Sequence, residues 1–163
     1  MITFNDIDFM DILDLPEVLA LERLSFGKMA WSSKDFETAL SSDYDYPMVV
    51  HKQPVNTSDQ ESFMNNLAGY SVLRLLGPEA EIENICVSPD MRRNGIGETL
   101  MQKMIQTALT EKASVIFLEV RAGNTPARAL YQKLGFKELY VRKSYYRDPV
   151  DDAIIMQLNL YKK

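Results

Sequence analysis

Hydrophobic positions along the chain switch between two periods, and the switches mark its elements. Alternation with period two runs through Glu81-Ile82-Glu83-Asn84-Ile85-Cys86-Val87 and predicts a half-buried strand. Leu100, Met101, Met104, Ile105 and Ala108 then recur at helical spacing and predict one buried stripe. The same reading gives an edge strand over 2–10. Asp14 is expected to cap a helix with Pro16 near its start and Val18, Leu19, Leu21, Glu22 and Leu24 following. Ser32-Ser33-Lys34-Asp35, just after Trp31, starts a short second helix that reaches about Leu40. Residues 46–52 and 68–76 read as paired strands. Between them 53–66 is polar, with Pro54, Asn56, Ser58 and Asp59, and reads as a long, solvated, mobile hairpin connection.

A central strand over 79–87, a helix over 97–110 and a strand over 114–121 follow. Asn124-Thr125-Pro126 opens another helix with Ala127, Leu130 and Leu134 on its apolar face, and Gly135 ends it. Two last strands, about 136–146 and 152–160, read as a terminal antiparallel pair. This alternation predicts an α/β fold, a central mixed sheet with helices on both faces.

The chain has 163 residues, 46 % of them hydrophobic and 25 % charged, which predicts one globular domain over 1–163 with a sizeable core. No apolar run approaches the roughly 18 residues of a membrane span. The acidic start (Asp6, Asp8, Asp11, Asp14) is unlike a signal peptide, so neither a membrane nor secretion is expected. A single cysteine excludes an internal disulfide and suits a reducing cytoplasm. One histidine and one cysteine cannot build a usual zinc site, so no metal is expected. The net charge of −5 argues against direct nucleic-acid binding and is compatible with a cationic partner.

Between the central strand and the helix at 97–110 lie Ser88-Pro89-Asp90 and then Arg92-Arg93-Asn94-Gly95-Ile96-Gly97. A strand feeding a glycine-containing turn that opens a helix leaves backbone N–H groups aimed at an anion. Glycines let that backbone approach a phosphate, and Arg92 and Arg93 add positive charge. A Walker A loop would need Gly-Lys-Ser/Thr, and no lysine follows the glycine here. A dinucleotide fingerprint would need a third glycine where Leu100 stands, although Glu119 falls near its acidic position. The stretch reads as a cradle for a different pyrophosphate.

Arg/Gln-x-x-Gly-x-Gly/Ala after such a strand resembles the acetyl-coenzyme A (acetyl-CoA) loop of the GNAT acyltransferases. Further motifs occur in that family's order: Asn84-Ile85-Cys86-Val87-Ser88-Pro89, Leu118-Glu119-Val120-Arg121-Ala122-Gly123-Asn124 and Ala129-Leu130-Tyr131-Gln132-Lys133-Leu134-Gly135-Phe136. Tyr145-Tyr146 and Asp152-Ala153-Ile154-Ile155-Met156 complete the set, and together they resemble the RimI group, the ribosomal-protein alanine N-acetyltransferases. The likeness is carried by residues 80–160. It implies the GNAT fold, with acetyl-CoA as co-substrate in the splay between the strands ending near Val87 and Glu119. The acceptor it implies is a protein N-terminus, alanine of a small basic ribosomal protein. It also implies that Arg92, Arg93, Asn94, Gly95, Ile96, Gly97 and Glu98 hold the pyrophosphate, that Ile85, Cys86 and Val87 face the pantetheine and thioester, and that Asn124 bonds the cofactor.

Acyl transfer to an amine needs a neutral amine, donors for an oxyanion and a proton for the departing thiolate. A peptide α-amine titrates near 7.7–8 against about 10.4 for lysine, so a modest base suffices for it. Glu119 is the candidate base: alternation puts it on the face of Phe117, among aromatic and aliphatic groups expected to raise its pKa. The alternative pairs it with Arg121 or another cation. Tyr131 is the candidate acid, against a purely core tyrosine beside the Ala127-Leu130-Leu134 stripe. The Val87 amide is the expected oxyanion donor. Cys86 is read as a small buried hydrophobe rather than a nucleophile, and His51 as a strand-surface residue.

Phe26, Trp31, Tyr145 and Tyr146 are candidates for holding the acceptor, with Glu81 or Glu83 attracting its positive end. Against the family pattern, the 53–66 link is long and Ala30 stands where proline usually precedes the tryptophan. Two other functions stay open at this point. One is an acetyltransferase for a polyamine, drug or amino acid; the other is a non-catalytic acyl-CoA-binding protein.

Overall fold

A computed structural model of the chain describes residues 1–3, 6–56, 58–59, 61 and 64–161. The expected strand over 2–10 and the connection over 53–66 lie partly outside these. The chain forms a seven-stranded mixed sheet in the order β1-β2-β3-β4-β5-β7-β6. Its strands are β1 (Ile7–Phe9), β2 (Asp45–His51), β3 (Leu67–Leu76), β4 (Glu79–Val87), β5 (Val115–Arg121), β6 (Lys137–Arg147) and β7 (Val150–Asn159). Its helices are α1 (Leu15–Phe26), α2 (Ser33–Ser41), α3 (Ile96–Thr110) and α4 (Thr125–Lys133). The chain condenses into two compact units, residues 1–74 with 84–104 and residues 75–83 with 105–163.

In the first unit β1 pairs antiparallel with β2, and β2 with β3. Asp14 stands at the N-cap position of α1 as expected but makes no side-chain cap bond; Asp11 caps the 3-10 turn before it, its side chain accepting from the Leu13 N–H in a capping box with Asp14. Asp14 is instead buried. It accepts from the Asp11 N–H and is hydrogen-bonded to His51 Nε2 at 2.8 Å, so His51 is a tethered, largely buried group rather than a strand-surface residue. Ser32 and Asp35 cap α2 reciprocally, as the spacing predicts. Val18, Phe36, Val49, Tyr70, Val72 and Cys86 meet in one apolar core.

The 53–66 connection is pinned at both ends. Gln53 and Asn66 exchange two hydrogen bonds, and the Glu17 carboxylate accepts the N–H groups of Asn65, Asn66 and Leu67. On α3 four of the five predicted stripe residues, Leu100, Met101, Met104 and Ala108, are fully buried, each larger side chain contributing ~1.5–3 kcal/mol, while Ile105 is half-buried.

In the second unit β4 and β5 run parallel, from Glu79 opposite Val115 to Ile82 opposite Leu118. Both strands continue past the end of that ladder, β4 to Val87 and β5 to Arg121. Glu119 is therefore the first residue of β5 beyond the last rung, while it still pairs with Ile155 of β7 on its other side. The terminal strands form the expected antiparallel pair, with β7 inserted between β5 and β6. Asn124 caps α4, and Gly135 follows it at φ +95°, a left-handed turn that glycine adopts without a Cβ penalty. Ala127, Leu130 and Leu134 are only half-buried, and the residue α4 buries fully is Tyr131.

Candidate active site

The Arg92–Gly97 turn belongs to the first unit. After Val87 the chain makes a short 3-10 turn, Pro89–Met91, and Arg92 lies extended. Arg93 takes φ +64° and Gly95 φ +79°, which turn the backbone into the start of α3. The first helical bond is Thr99 N–H to the Gly95 carbonyl, so the N–H groups of Ile96, Gly97 and Glu98 precede the helix's own hydrogen-bond ladder. They sit at the positive end of a 15-residue helix, the arrangement that binds phosphate oxygens. A Cβ built on Gly95 meets nothing within 4 Å, leaving open space on that side. Asn94 braces the turn by donating to the Met91 and Arg92 carbonyls. Arg92 Nε donates to the Val87 carbonyl at 3.2 Å and ties the turn to the strand end. Glu98 carries a negative charge of its own, so only its main-chain N–H suits an anion.

On β4, Cys86 is buried while Ile85 and Val87 are half-buried. Cys86 Sγ lies 3.1 Å from Ser25 Oγ, and burial pushes its thiol pKa up, which opposes thiolate formation and fits the reading of a small core residue. Gly69 of β3 faces this strand. A Cβ there would lie 2.7 Å from the Cys86 carbonyl oxygen and 3.3 Å from Leu100 Cδ1. Sequence reading missed Gly69, because nothing local distinguishes a glycine needed for close approach from one that is tolerated.

In the second unit Glu119 shares a strand face with Phe117 and Arg121, as alternation predicts. Its immediate neighbours are more polar than expected. Oε1 accepts a 3.0 Å bond from the Tyr146 hydroxyl, Oε2 lies 3.6 Å from Arg142 Nη1, and the side chain is 28 % exposed. The cation partner is thus Arg142, not Arg121. The Arg121 guanidinium sits 4.0 Å from the centre of the Tyr146 ring and donates to the Pro149 and Asp148 carbonyls, fixing the β6–β7 turn. Burial, followed by the neighbouring Glu119 carboxylate, pushes the Tyr146 phenol pKa above its ordinary value, which keeps it a donor. Tyr145 packs edge-on against Tyr146 at 5.2 Å.

An irregularity in β6 between Arg142 and Tyr146 sets up this cluster. Ser144 takes φ +49° there, and the Asp152 carboxylate accepts from the Ser144 N–H at 2.8 Å and from Lys143 Nζ at 2.9 Å.

Tyr131 is 7 % exposed, and burial pushes its pKa up to about 12. Its ring packs 6.1 Å from Phe136, and no hydrogen bond joins it to Glu119 among the described residues. Asn124 Oδ1 accepts from the Ala127 N–H at 3.4 Å, a cap. Phe26 and Trp31 stand in the first unit, Phe26 exposed and Trp31 with its ring 5.1 Å from Phe36. Glu83, half-buried on β4, belongs to the second unit with Tyr145 and Tyr146, and Glu81 of the same strand is exposed. Among the described residues no helix is long and apolar enough to cross a membrane.

Comparison with known proteins agrees with these features. Residues 16–136 match the family model described as the acetyltransferase (GNAT) family. The chain is 31 % identical over 156 residues to the [ribosomal protein bS18]-alanine N-acetyltransferase of Escherichia coli K12, covering 94 % of this chain and 97 % of that one. The crystal structure of the ribosomal-protein-S18-alanine N-acetyltransferase from Escherichia coli superposes with a TM-score of 0.79 at 29 % identity, over 96 % of this chain and 94 % of that one. Arabidopsis thaliana NAA60, crystallised in complex with acetyl-CoA, shares the fold at a TM-score of 0.78 and 14 % identity, over 94 % and 97 % of the two chains. Loop, sheet and relatives converge: this chain belongs to the acetyltransferase (GNAT) family, is an N-acetyltransferase, and is similar to the family's RimI members.

Proposed function

We propose that the protein acts as one catalytic domain, transferring the acetyl group of acetyl-CoA to the N-terminal α-amine of a protein. An alanine-starting, basic ribosomal protein of the bS18 type is the acceptor class. The observation that carries this reading is Glu119: a partly exposed carboxylate, one residue past the β4–β5 ladder, aimed by the Tyr146 hydroxyl. Likeness to the Escherichia coli enzyme named for bS18 alanine supports the acceptor class. Such an acceptor implies the cytoplasm.

Acetyl-CoA supplies the activated acetyl group. The main-chain N–H groups of Ile96 and Gly97 at the start of α3, the open side of Gly95 and the nearby Arg92 and Arg93 suit its diphosphate, and Asn124 adds a polar contact. In this reading Ile85, Cys86 and Val87 line the thioester arm, and the Val87 N–H receives the negative charge that develops on the carbonyl oxygen. Glu119 takes the proton that the attacking amine must shed, directly or through a water. As the new C–N bond forms and the C–S bond breaks, Tyr131 gives its proton to sulfur. A phenol held up to about 12 by burial keeps that proton at neutral pH. Phe26, Trp31, Glu83, Tyr145 and Tyr146 receive the acceptor's first residues.

The test is incubation with labelled acetyl-CoA and a panel of N-terminal peptides, beside polyamine and lysine-only controls. Label on the α-nitrogen of alanine peptides supports the proposal. Label on polyamines alone assigns the small-amine reaction instead, and no transfer to any amine leaves only a binding protein.

A further inference from the structure

The buried carboxylate of Glu22 in the first unit is not used by the chemistry above. Glu22 sits on α1 and is 1 % exposed. Oε1 accepts the Trp31 main-chain N–H at 2.8 Å; Oε2 accepts from Asn84 Nδ2 at 3.0 Å and from the Tyr70 hydroxyl. The donors come from three places: the α1–α2 connection, β4 and β3. A buried carboxylate costs stability that a well-packed apolar side chain of equal volume would not, so its gain must lie in what it positions.

What it positions is Trp31 at both ends. The indole packs 5.1 Å from Phe36, and Phe36 stands edge-on to Tyr70 at 5.7 Å. The Tyr70 hydroxyl returns to Glu22, which holds the Trp31 amide. Ring and main chain of one residue are thus fastened to a single closed cluster. The connection between the end of α1 and Trp31 stays outside: Phe26 and Met29 are exposed. Burial, ahead of the nearby Cys86 and Glu22, drives the Tyr70 phenol pKa far above its ordinary value, so the hydroxyl remains a donor.

We propose that Glu22 is a positioning residue for the acceptor, holding the α1–α2 connection so that Phe26 and Trp31 present a fixed surface to the peptide. The inference rests on the acceptor reading above, and its test separates the two. Trp31 is the chain's one tryptophan, so its emission reports the connection directly, with no substrate present.

Three variants are compared with wild type. Glu22→Met strands all three donors. Glu22→Asp keeps the charge but shortens the reach by one methylene. Glu22→Gln keeps the Trp31 bond on Oε1, and its Nε2 donates to Asn84 Oδ1 once that amide turns over and to the Tyr70 oxygen once the hydroxyl hydrogen turns to Cys86 Sγ. Acrylamide quenching of Trp31 is expected to rise at least twofold in the Met and Asp variants and to stay at the wild-type value in Gln. The KM for an alanine-starting peptide should rise about tenfold in Met and Asp, the worth of one hydrogen bond or ~1.4 kcal/mol. Their kcat should stay within about threefold, acetyl-CoA affinity should not move, and Gln should restore the KM.

A folded Asp variant with unchanged quenching and unchanged peptide KM overturns the proposal. So does loss of fold in both Met and Asp, which makes Glu22 a purely structural group. If wild type acetylates no peptide, the acceptor reading fails on its own, and the quenching result still decides whether Glu22 holds the connection.

Discussion

Replacing Gly69 by alanine tests whether close approach of β3 to the strand that ends at Val87 is a requirement of the fold. An added Cβ would lie 2.7 Å from the Cys86 carbonyl oxygen, where ordinary contact needs about 3.4 Å. About 0.7 Å must therefore be found, and the obstacle is main chain rather than the end of a flexible side chain. Leu100 and Ile96 of α3, at 3.3 and 3.4 Å, block retreat in the other direction. Overpacking of this kind costs about 1–3 kcal/mol, offset by about 0.4–1 kcal/mol from the stiffer unfolded chain. A main-chain obstacle puts the cost at the upper end, about 2 kcal/mol net, and at about 2–4 °C per kcal/mol for a chain of this size Tm falls by roughly 4–8 °C. The displaced carbonyl precedes Val87, the proposed oxyanion donor, so kcat/KM should fall about tenfold as well. Gly95→Ala is the contrast: it meets nothing within 4 Å, and its cost is only the left-handed backbone, ~1 kcal/mol. Thermal unfolding, with the rate of acetyl transfer to an alanine-starting peptide, reads both effects. A Gly69→Ala protein with wild-type Tm and wild-type kcat/KM would refute the steric argument.

Other outcomes follow from the same geometry. Glu119→Gln and Tyr131→Phe should each lower kcat by about 10²–10⁴ with acetyl-CoA affinity nearly unchanged; full activity in both variants ends those role assignments. Because burial holds the Tyr131 phenol up to about 12, its proton stays available well above pH 8. The folded state there binds a proton that the unfolded state has lost, so Tyr131's stabilisation is complete below about pH 10 and declines between about 10 and 12. Denaturation of wild type and Tyr131→Phe across that range should show a steeper alkaline loss in wild type. Asp152→Asn should slow turnover by loosening the β6 irregularity that delivers Tyr146 to Glu119. The Ser144 N–H, with Lys143, holds the Asp152 carboxyl below its ordinary pKa, so that brace is complete above about pH 4 and fades as pH falls through the lowered value. Acid quenching of Tyr146 order, followed by near-ultraviolet circular dichroism, checks it.

The parts legible in sequence were those written in neighbouring residues. Arg92 to Gly97 between an alternating strand and a helical stripe placed the glycine turn that opens α3, and Asn124-Thr125-Pro126 placed α4, because caps and turns depend on residues a few positions apart. Asp14 holds the N-cap position of α1 without a side-chain cap bond, because a 3-10 turn capped by Asp11 precedes the helix and engages the Asp14 carboxylate. The remaining misses are long-range. His51 read as surface because its partner Asp14 lies 37 residues earlier. Glu22 read as one more helix position because its partners Tyr70 and Asn84 lie 48 and 62 residues on. Alternation put Glu119 on the correct face, yet Arg142 and Tyr146 reach it only because β7 enters the sheet between β5 and β6 and β6 bulges. Strand order and bulges are settled by packing that no local pattern encodes.

The most direct measurement is mass-spectrometric mapping of the product formed from acetyl-CoA and an alanine-starting ribosomal peptide that also contains lysine. One acetyl group on the α-nitrogen, formed by wild type and nearly abolished in Glu119→Gln, is the predicted result. Acetyl on the lysine side chain alone, or equal product from the Glu119→Gln protein, would contradict the account.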